Sequence, residues 1–287
     1  MLAVDYMSFM ACIDRKDIPQ SLLPVGPSRK KGIAAIGSLH AYSMIVKRPA
    51  ASAIDLHQLV HLTTRNWLQN QESLLAKWTE AAITRLLDMF PDDNHGNRSK
   101  WRRLLPHANY VLKFGLIGEG NEARVGLVSK CAISLLSDGR YNEAEAYFLE
   151  MVQRDKKMFG EEHPDTLIRM GNLATTYTNQ DRRKEAEELE VRVMVTFKRV
   201  VGEGHPFTLT SMGNLASTYR DQGRWKEAEV LGVRGVETSV KVLGEEHPDT
   251  LISMNNLART YRNQGRWKKA EELNVARDTG TDVRYCL

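Results

Sequence analysis

The chain has 287 residues, of which 42% are hydrophobic and 26% are charged, and its formal net charge is +4. These proportions are ordinary for a globular protein and exclude a disordered or fibrous class. No run of about eighteen apolar residues occurs, so the sequence predicts no membrane span, and the small net charge gives no reason to expect nucleic acid.

Cysteine usage and the N-terminal residues bear on the compartment. Cys12, Cys131 and Cys286 lie far apart and form no metal-binding spacing, which favours a reducing environment over a disulfide scaffold. The first residues contain an early Asp5 and no basic leader, so we expect no secretory signal. Together these features predict a cytoplasmic protein.

Residues 1–72 alternate helical and extended patterns. Helices are predicted at residues 3–12, 32–46 and 59–70, with a short extended segment, AIDLH, before the third. The order helix, helix, short hairpin, helix predicts a small winged-helix-like domain. Residues 73–120 are predicted to form a helical linker with a break at Pro91.

From residue 121 onward the sequence repeats with a period of 42 residues. The segment GEEHPDTL begins at Gly160 and returns at Gly244, and GEGHPFTL begins at Gly202 between them. Recurrence at a fixed period of this size is typical of a stacked repeat architecture. Counting a degenerate first unit and a shortened last one, residues 121–287 are predicted to hold about four units.

Each unit is predicted to form two helices. In the second unit, Pro164 and Asp165 suit the first turn of a helix, and apolar residues then recur at spacings of three and four. A polar turn follows, in which Gly223 and Gly265 of the next two units can adopt the left-handed conformation that ends a helix. A pair this short buries its apolar face only by stacking on neighbouring pairs.

These units resemble the tetratricopeptide repeat, and more closely its 42-residue kinesin light chain type, whose units read roughly HPD, NNLA, Y, QG, Y or W, then EAE. The resemblance covers residues 121–276. It implies a mainly α fold, a right-handed α-solenoid whose first helices line a concave groove for a peptide or a partner helix. The final unit departs from the family, because its second helix gives way after Ala276 to RDTGTDVRYCL.

Three strings in the first 70 residues carry a second resemblance: DYMSFMACIDRKDIPQSLLP, GSLHAYSMI and DLHQLVHLTTRNWL. They resemble the closing winged-helix portion of the NB-ARC ATPase module of fungal NOD-like receptors, a family often followed by kinesin light chain-type repeats. The resemblance implies that His57 would contact the phosphates of a bound nucleotide. Gln58 replaces the family's acidic residue, however, and no GxxxxGKS or GxxxxGKT motif precedes it, so we expect no nucleotide to bind.

The best candidates for partner contact are three asparagines, Asn172, Asn214 and Asn256, which recur every 42 residues on the predicted first helices. The resemblance implies an asparagine ladder along the groove. An amide both donates and accepts hydrogen bonds, which suits the backbone of an extended peptide. The alternative is that each amide ties its own repeat to the next.

Other candidates for partner contact flank the asparagines on the same predicted face. Three of them are arginines, which would give the groove a positive bias that suits an acidic peptide. Solvated arginines on a turn are the alternative. These flanking candidates are Asn255, Thr175, Ser217, Arg259, Arg220 and Arg262.

The recurring histidines His163, His205 and His247 are predicted to start helices rather than to bind a metal. Stacked repeats would separate them by about 10 Å, whereas the ligands of one zinc ion lie about 2 Å from it. No metal and no cofactor are expected.

Two further sets of residues have a packing or solvent interpretation. Trp225, Trp267 and Tyr141 follow the turns and are predicted to pack against neighbouring helices. Glu187 and Glu188 are predicted to lie on a solvated helix face rather than to form a catalytic pair.

The sequence therefore predicts a non-enzymatic scaffold or adaptor that binds a protein or peptide in the groove, as a fragment or paralogue of an intracellular NOD-like receptor. We expect no membrane, nucleic acid or nucleotide as a ligand. The alternative is a winged-helix DNA-binding protein that uses the repeats to oligomerise. Its basis is a basic cluster at Ser28, Arg29, Lys30 and Lys31, which a solvated loop would also explain.

Overall fold

Helices dominate the computed structural model, which describes residues 2–92, 94–113, 118 and 120–279. The chain divides into two compact units, Met1–Arg140 and Tyr141–Leu287.

The first unit combines six helices with a small antiparallel sheet among its described residues. The strands lie in the order β1-β3-β2, with Ile18 opposite Ile54 and Ile45 opposite Leu56. The order of helices and hairpin agrees with the pattern in the sequence, and the winged-helix assignment stays a prediction. The elements are α1 (Leu2–Met10), β1 (Ile18–Pro19), α2 (Arg29–Ala41), β2 (Ile45–Arg48), β3 (Ala53–Leu56), α3 (Gln58–Gln69), α4 (Glu72–Met89), α5 (Arg98–Lys113) and α6 (Glu122–Ser137).

Buried polar side chains fix the loop that follows α1. His61 Nε2 lies 3.0 Å from the Ile13 carbonyl oxygen, and Arg65 donates to the Ala11 carbonyl at 3.2 Å. From α5, His107 Nδ1 lies 3.1 Å from the Asp14 carbonyl oxygen. Burial lowers the pKa of both histidines. The carbonyl groups of Ala11, Ile13 and Asp14 are thus satisfied by side chains rather than by a regular strand.

The second unit is a row of helices in which each packs on the next. Direct contacts also join α8 to α10 and α10 to α12, whereas α9 and α11 contact each other less. The face formed by α8, α10 and α12, called here the first-helix face, is therefore the inner side of the row. The helices are α7 (Tyr141–Phe159), α8 (Pro164–Asn179), α9 (Arg183–Val200), α10 (Pro206–Asp221), α11 (Trp225–Leu243), α12 (Pro248–Asn263) and α13 (Trp267–Thr279).

Proline begins each helix of the first-helix face, and the histidine before it is the N-cap. Nδ1 of His163, His205 and His247 accepts from the backbone N–H two residues on, at 3.3, 3.2 and 3.2 Å. Proline is tolerated there because the first N–H of a helix has no intrahelical partner. The predicted helix-start role of these histidines is confirmed.

The turns between paired helices use the left-handed region of backbone space. Gly223 has φ 77° and Gly265 has φ 75°, as predicted. Asp181 occupies the equivalent place one repeat earlier, with φ 62°. An L-residue with a side chain is strained at such an angle, so we expect the turn at Asp181 to be the least stable of the three.

The apolar stripe predicted for α8 is buried, with Leu167, Met170 and Leu173 all in the core. The packing prediction is wrong for two aromatic residues. Trp225 is 43% exposed and Trp267 is 67% exposed. Each is the first residue of its helix, and a helical side chain covers the turn N-terminal to its own Cα, which does not exist at that position.

Candidate functional site

The three candidate asparagines share one environment on the first-helix face. Asn172 lies on α8, Asn214 on α10 and Asn256 on α12, and all three side chains are half-buried. Within the described part of the chain, their side-chain amides form no hydrogen bond with another residue, and the threonine hydroxyls one turn onward from Asn172 and Asn256 donate to the backbone carbonyls of these two residues instead. The alternative in which each amide ties its repeat to the next therefore has no hydrogen bond among the described residues to support it.

A cavity of about 140 Å³ lies between α10 and α12 and is lined by both Asn214 and Asn256. Gly213 leaves room beside the second amide, since a Cβ placed there would lie 3.6 Å from Asn256 Nδ2. Ile252, on the same wall, is an exposed apolar side chain. The cavity thus pairs two free amides with an apolar wall, which is the composition expected of a small recognition pocket.

Positive charge gathers at the C-terminal ends of α10 and α12. Arg220 is only 5% exposed, so the alternative of a solvated arginine does not apply to this residue. Its guanidinium donates to the Ser217 hydroxyl and lies 3.5 Å from the Asp221 carboxylate. Burial, with the neighbouring charge of Arg259, lowers the pKa of Arg220. These two arginines are therefore close enough for each to repel the other's charge.

The remaining candidates on this face differ in exposure. Arg259, Arg262 and Asn255 are exposed. Thr175 is half-buried and donates from its hydroxyl to the Gly171 carbonyl at 3.1 Å. The structure thus brings Ser217, Arg220 and Arg259 together, while the Thr175 hydroxyl is occupied by its own helix.

His57 is an exposed residue at the start of α3. Its Nδ1 accepts from the Leu59 N–H at 3.3 Å, which makes it the N-cap of that helix. Ser28 caps α2 in a similar way, because its hydroxyl accepts from the Lys31 N–H at 3.3 Å. Arg29 and Lys30 lie in the first turn of α2 and are exposed, so the basic cluster starts a helix instead of forming a loop.

A set of contacts between repeats has no counterpart in the sequence predictions. Arg224 and Gln222 reach from the α10–α11 turn to Glu187 on α9, at 2.6 and 3.0 Å. The Arg224 guanidinium also lies 4.2 Å from the Tyr219 ring centroid. The assignment of Glu187 to a solvated stripe was therefore wrong, because the next repeat covers it.

The same arrangement recurs every 42 residues, and we call each instance a junction cluster. Each joins a glutamate of one second helix to a glutamine, an arginine and a tyrosine of the next repeat. The recurrence of these letters could have revealed them, although nothing within one helix indicates the partner. The clusters are Glu145 with Tyr177, Gln180 and Arg182, Glu187 with Tyr219, Gln222 and Arg224, and Glu229 with Tyr261, Gln264 and Arg266.

The described residues include neither of two arrangements that would indicate another class of function. Among them, no group of three or more His, Cys, Asp or Glu side chains is placed to hold a metal ion. None of the helices in the same part of the chain is both long enough and apolar enough to cross a membrane.

Comparison with known proteins agrees with the geometry of the second unit. Tetratricopeptide repeat models match residues 132–165, 166–207, 208–249 and 234–274. The nearly identical TPR-like kinesin light chain repeats of Podosopora anserina have a solved structure that is 26% identical, with a TM-score of 0.56, covering 69% of this chain and 92% of that one. BtubC (BKLC) from P. vanneervenii, at 19% identity, a TM-score of 0.52 and coverage of 78% and 82%, shows the fold alone.

A relative by sequence comes from Hyaloscypha variabilis. It is a nucleotide-binding leucine-rich repeat (NLR)-like protein, 39% identical over 167 residues. The match takes in 58% of this chain but only 17% of that protein. The chain therefore carries an array of tetratricopeptide repeats of the kinesin light chain type and is related in sequence to an NLR-like protein.

Proposed function

We propose that the repeat array is a protein-interaction scaffold that binds an extended peptide along its first-helix face. Asn172, Asn214 and Asn256 would hydrogen-bond the peptide backbone, because each amide offers both a donor and an acceptor. Backbone contacts of this kind supply affinity, while pockets between them select side chains.

The observation that carries this proposal is the state of the three amides. They stand in register on successive repeats, half-buried, and without an intramolecular hydrogen bond among the described residues. An amide with no partner inside the protein keeps its donor and its acceptor for a ligand, and a peptide backbone would supply three partners at the spacing of the repeats.

The flanking residues would set specificity. Ser217 and Arg259 lie near the buried Arg220, and Ile252 offers an apolar contact beside Asn256. Asn255 and Arg262 extend the exposed rim, and Thr175 adds a methyl group next to Asn172. This combination supports a peptide that carries both an apolar side chain and a carboxylate.

The test begins with selection of peptides from a random displayed library on the full chain. The dissociation constant of a selected peptide is then measured for the unmodified protein and for the double variant Asn214→Ala/Asn256→Ala. We expect binding at least about tenfold weaker, because each lost hydrogen bond is worth about 0.5–1.5 kcal/mol.

Asn66→Ala is the matched control, since Asn66 is an exposed asparagine on α3. It should leave the dissociation constant unchanged. Circular dichroism and thermal unfolding of all variants confirm that folding is intact. Equal affinity of the double variant and the control for every selected peptide would contradict the proposal.

The wider setting is also proposed. Relationship to an NLR-like protein supports a non-enzymatic role within a cytoplasmic receptor or scaffold, and the chain spans about a sixth of that relative's length. His57, as an exposed helix cap with no described phosphate-binding loop around it, gives no support for a nucleotide-dependent role.

A further inference from the structure

The cavity between α10 and α12 is lined by hydrogen-bond acceptors in addition to its two asparagines. The Thr210 hydroxyl donates to the Pro206 carbonyl at 2.9 Å, and the Ser253 hydroxyl donates to the Asp249 carbonyl at 2.9 Å. Because each proton is used within its own helix, both hydroxyl oxygens keep only lone pairs for a ligand. Asp249 lines the same cavity, and no described residue of the lining is a lysine or an arginine. A ligand group that donates several hydrogen bonds therefore fits this cavity.

The carboxylate of Asp249 has no lysine or arginine as an ion-pair partner among the described residues. His247 Nδ1 lies 3.9 Å from Asp249 Oδ2, but that nitrogen accepts from the Asp249 N–H at 3.2 Å and therefore carries no proton. Arg259 stands ten residues further along α12, which places it about 15 Å away along the helix axis. That separation exceeds the screening length of about 8 Å at physiological salt. The negative charge at the cavity is therefore left for a ligand.

The equivalent place one repeat earlier has a different composition. Phe207 of α10 stands where Asp249 stands in α12, and Ile168 of α8 stands where Thr210 stands in α10. Phe207 is 39% exposed, and its ring centroid lies 5.5 Å from that of Phe197. The acceptor-rich lining thus belongs to the boundary between α10 and α12 and is not a feature that the repeat imposes on both boundaries.

We propose that the cavity between α10 and α12 binds a positively charged side chain, lysine or arginine, of the peptide on the first-helix face. The ammonium or guanidinium group would donate to the Asp249 carboxylate and to the hydroxyl oxygens of Thr210 and Ser253. The aliphatic part of the side chain would pack on Ile252, which is exposed on the same wall. This inference rests on the proposed function, and it adds a basic residue to the apolar side chain and the carboxylate expected of the peptide.

The first test uses peptides selected from the displayed library on the full chain. We expect a lysine or an arginine at one fixed position of the selected sequences. Replacing it with norleucine or citrulline, its uncharged counterpart, should weaken binding about fivefold, because ion pairs of partly exposed carboxylates contribute modestly. Selection on Asp249→Lys should place an acidic residue at that position. Asp165→Lys is the matched control and should keep the basic residue, because Asp165 holds the same place in the first turn of α8.

A second measurement separates this inference from peptide binding itself. N-acetyl-arginine amide and the uncharged N-acetyl-citrulline amide are titrated into the full chain, and the Asn256 side-chain amide resonance is followed by NMR. We expect the arginine compound to shift it at about fivefold lower concentration, and Asp249→Asn to abolish that difference. This result would support the site even if no peptide is selected. Equal shifts by the two compounds would overturn the inference, and so would selected peptides that require Asn214 and Asn256 but share no basic position, although these would leave the proposed function intact.

Discussion

Arg224 donates to Glu187 across the boundary between two repeats, with Nη1 2.6 Å from Oε1. The same guanidinium lies over the Tyr219 ring and also bonds Glu227 one turn further along its own helix. One side chain thus links the second helix of one repeat to both helices of the next. The stability of a repeat array depends on such interfaces between neighbouring repeats. We therefore expect this contact to stabilise the packing of these two repeats.

Replacing Arg224 should weaken the interface between the second and third repeats. Arg224→Ala removes a cation–π contact and two donors at once, so we expect a lower thermal unfolding midpoint. Arg199→Ala is the matched control, because Glu162 is its one ion-pair partner among the described residues and both side chains are exposed. Exposed pairs contribute little. Equal midpoints for the two variants would show that the junction cluster has no stabilising role.

The buried carboxyl group of Glu190 should make the stability of the protein depend on pH. Its side chain is 4% exposed on α9, at the position held by Phe148 one repeat earlier, and its Oε2 atom has no hydrogen-bond partner in the described structure. Burial raises the pKa of Glu190 to about 7, and the charges of Asp221 and Glu187 act in the same direction, while the Thr218 hydroxyl opposes them.

The sign of the effect follows from proton binding. Between the usual carboxyl pKa and about 7, the folded chain holds a proton on Glu190 that the unfolded chain has lost, so stability falls as pH rises through this window. The loss is on the order of 3 kcal/mol. Glu190→Gln should remove it and be more stable than the unmodified chain at pH 8, whereas Glu188→Gln, an exposed neighbour, should not. Urea unfolding from pH 5 to 8 measures both, and a slope retained in Glu190→Gln would contradict the assignment.

Replacing Asp181 with glycine should stabilise the turn in which it lies. Its φ of 62° is left-handed, which strains a non-glycine residue by about 1–2 kcal/mol, while glycine adds about 0.5–1 kcal/mol of conformational freedom to the unfolded chain. Asp181→Gly should therefore raise the free energy of unfolding by about 0.5 kcal/mol. The reciprocal change, Gly223→Asp, should lower it, and an unfolding titration that gave both variants the same sign would disprove the explanation.

Two substitutions of His205 test whether the recurring histidines stabilise their helices as N-caps. His205 Nδ1 accepts from the Phe207 N–H at 3.2 Å, and loss of an N-cap acceptor costs about 1 kcal/mol. His205→Ala should show this loss in chemical denaturation, while His205→Asn, which keeps a short acceptor, should retain most of the stability. If the asparagine variant is as unstable as the alanine variant, His205 acts by packing and not by capping.

Repetition made much of the second unit predictable. Prolines at 164, 206 and 248 begin α8, α10 and α12, and Gly223 and Gly265 adopt the positive φ expected of them. These features depend on steric rules that act within a few residues, so one sequence without coordinates is enough to recognise them.

Contacts between repeats were not predictable in the same way. Helical periodicity shows that Glu187 lies away from the apolar stripe of its own helix, but not that Arg224 of the next repeat reaches it. It likewise places Arg220 near the end of α10 without showing that its side chain is buried. Burial of a polar residue depends on how far one repeat rotates over the next, and that angle is a property of the stacked array.

The most direct test of peptide recognition is the NMR signal of the asparagine side-chain amides. With the peptide selected on the full chain, the Nδ2 resonances of Asn214 and Asn256, assigned through their alanine variants, should shift as the peptide is added, while that of Asn66 stays in place. Saturable binding of the peptide with all three resonances unchanged would contradict recognition by the first-helix face.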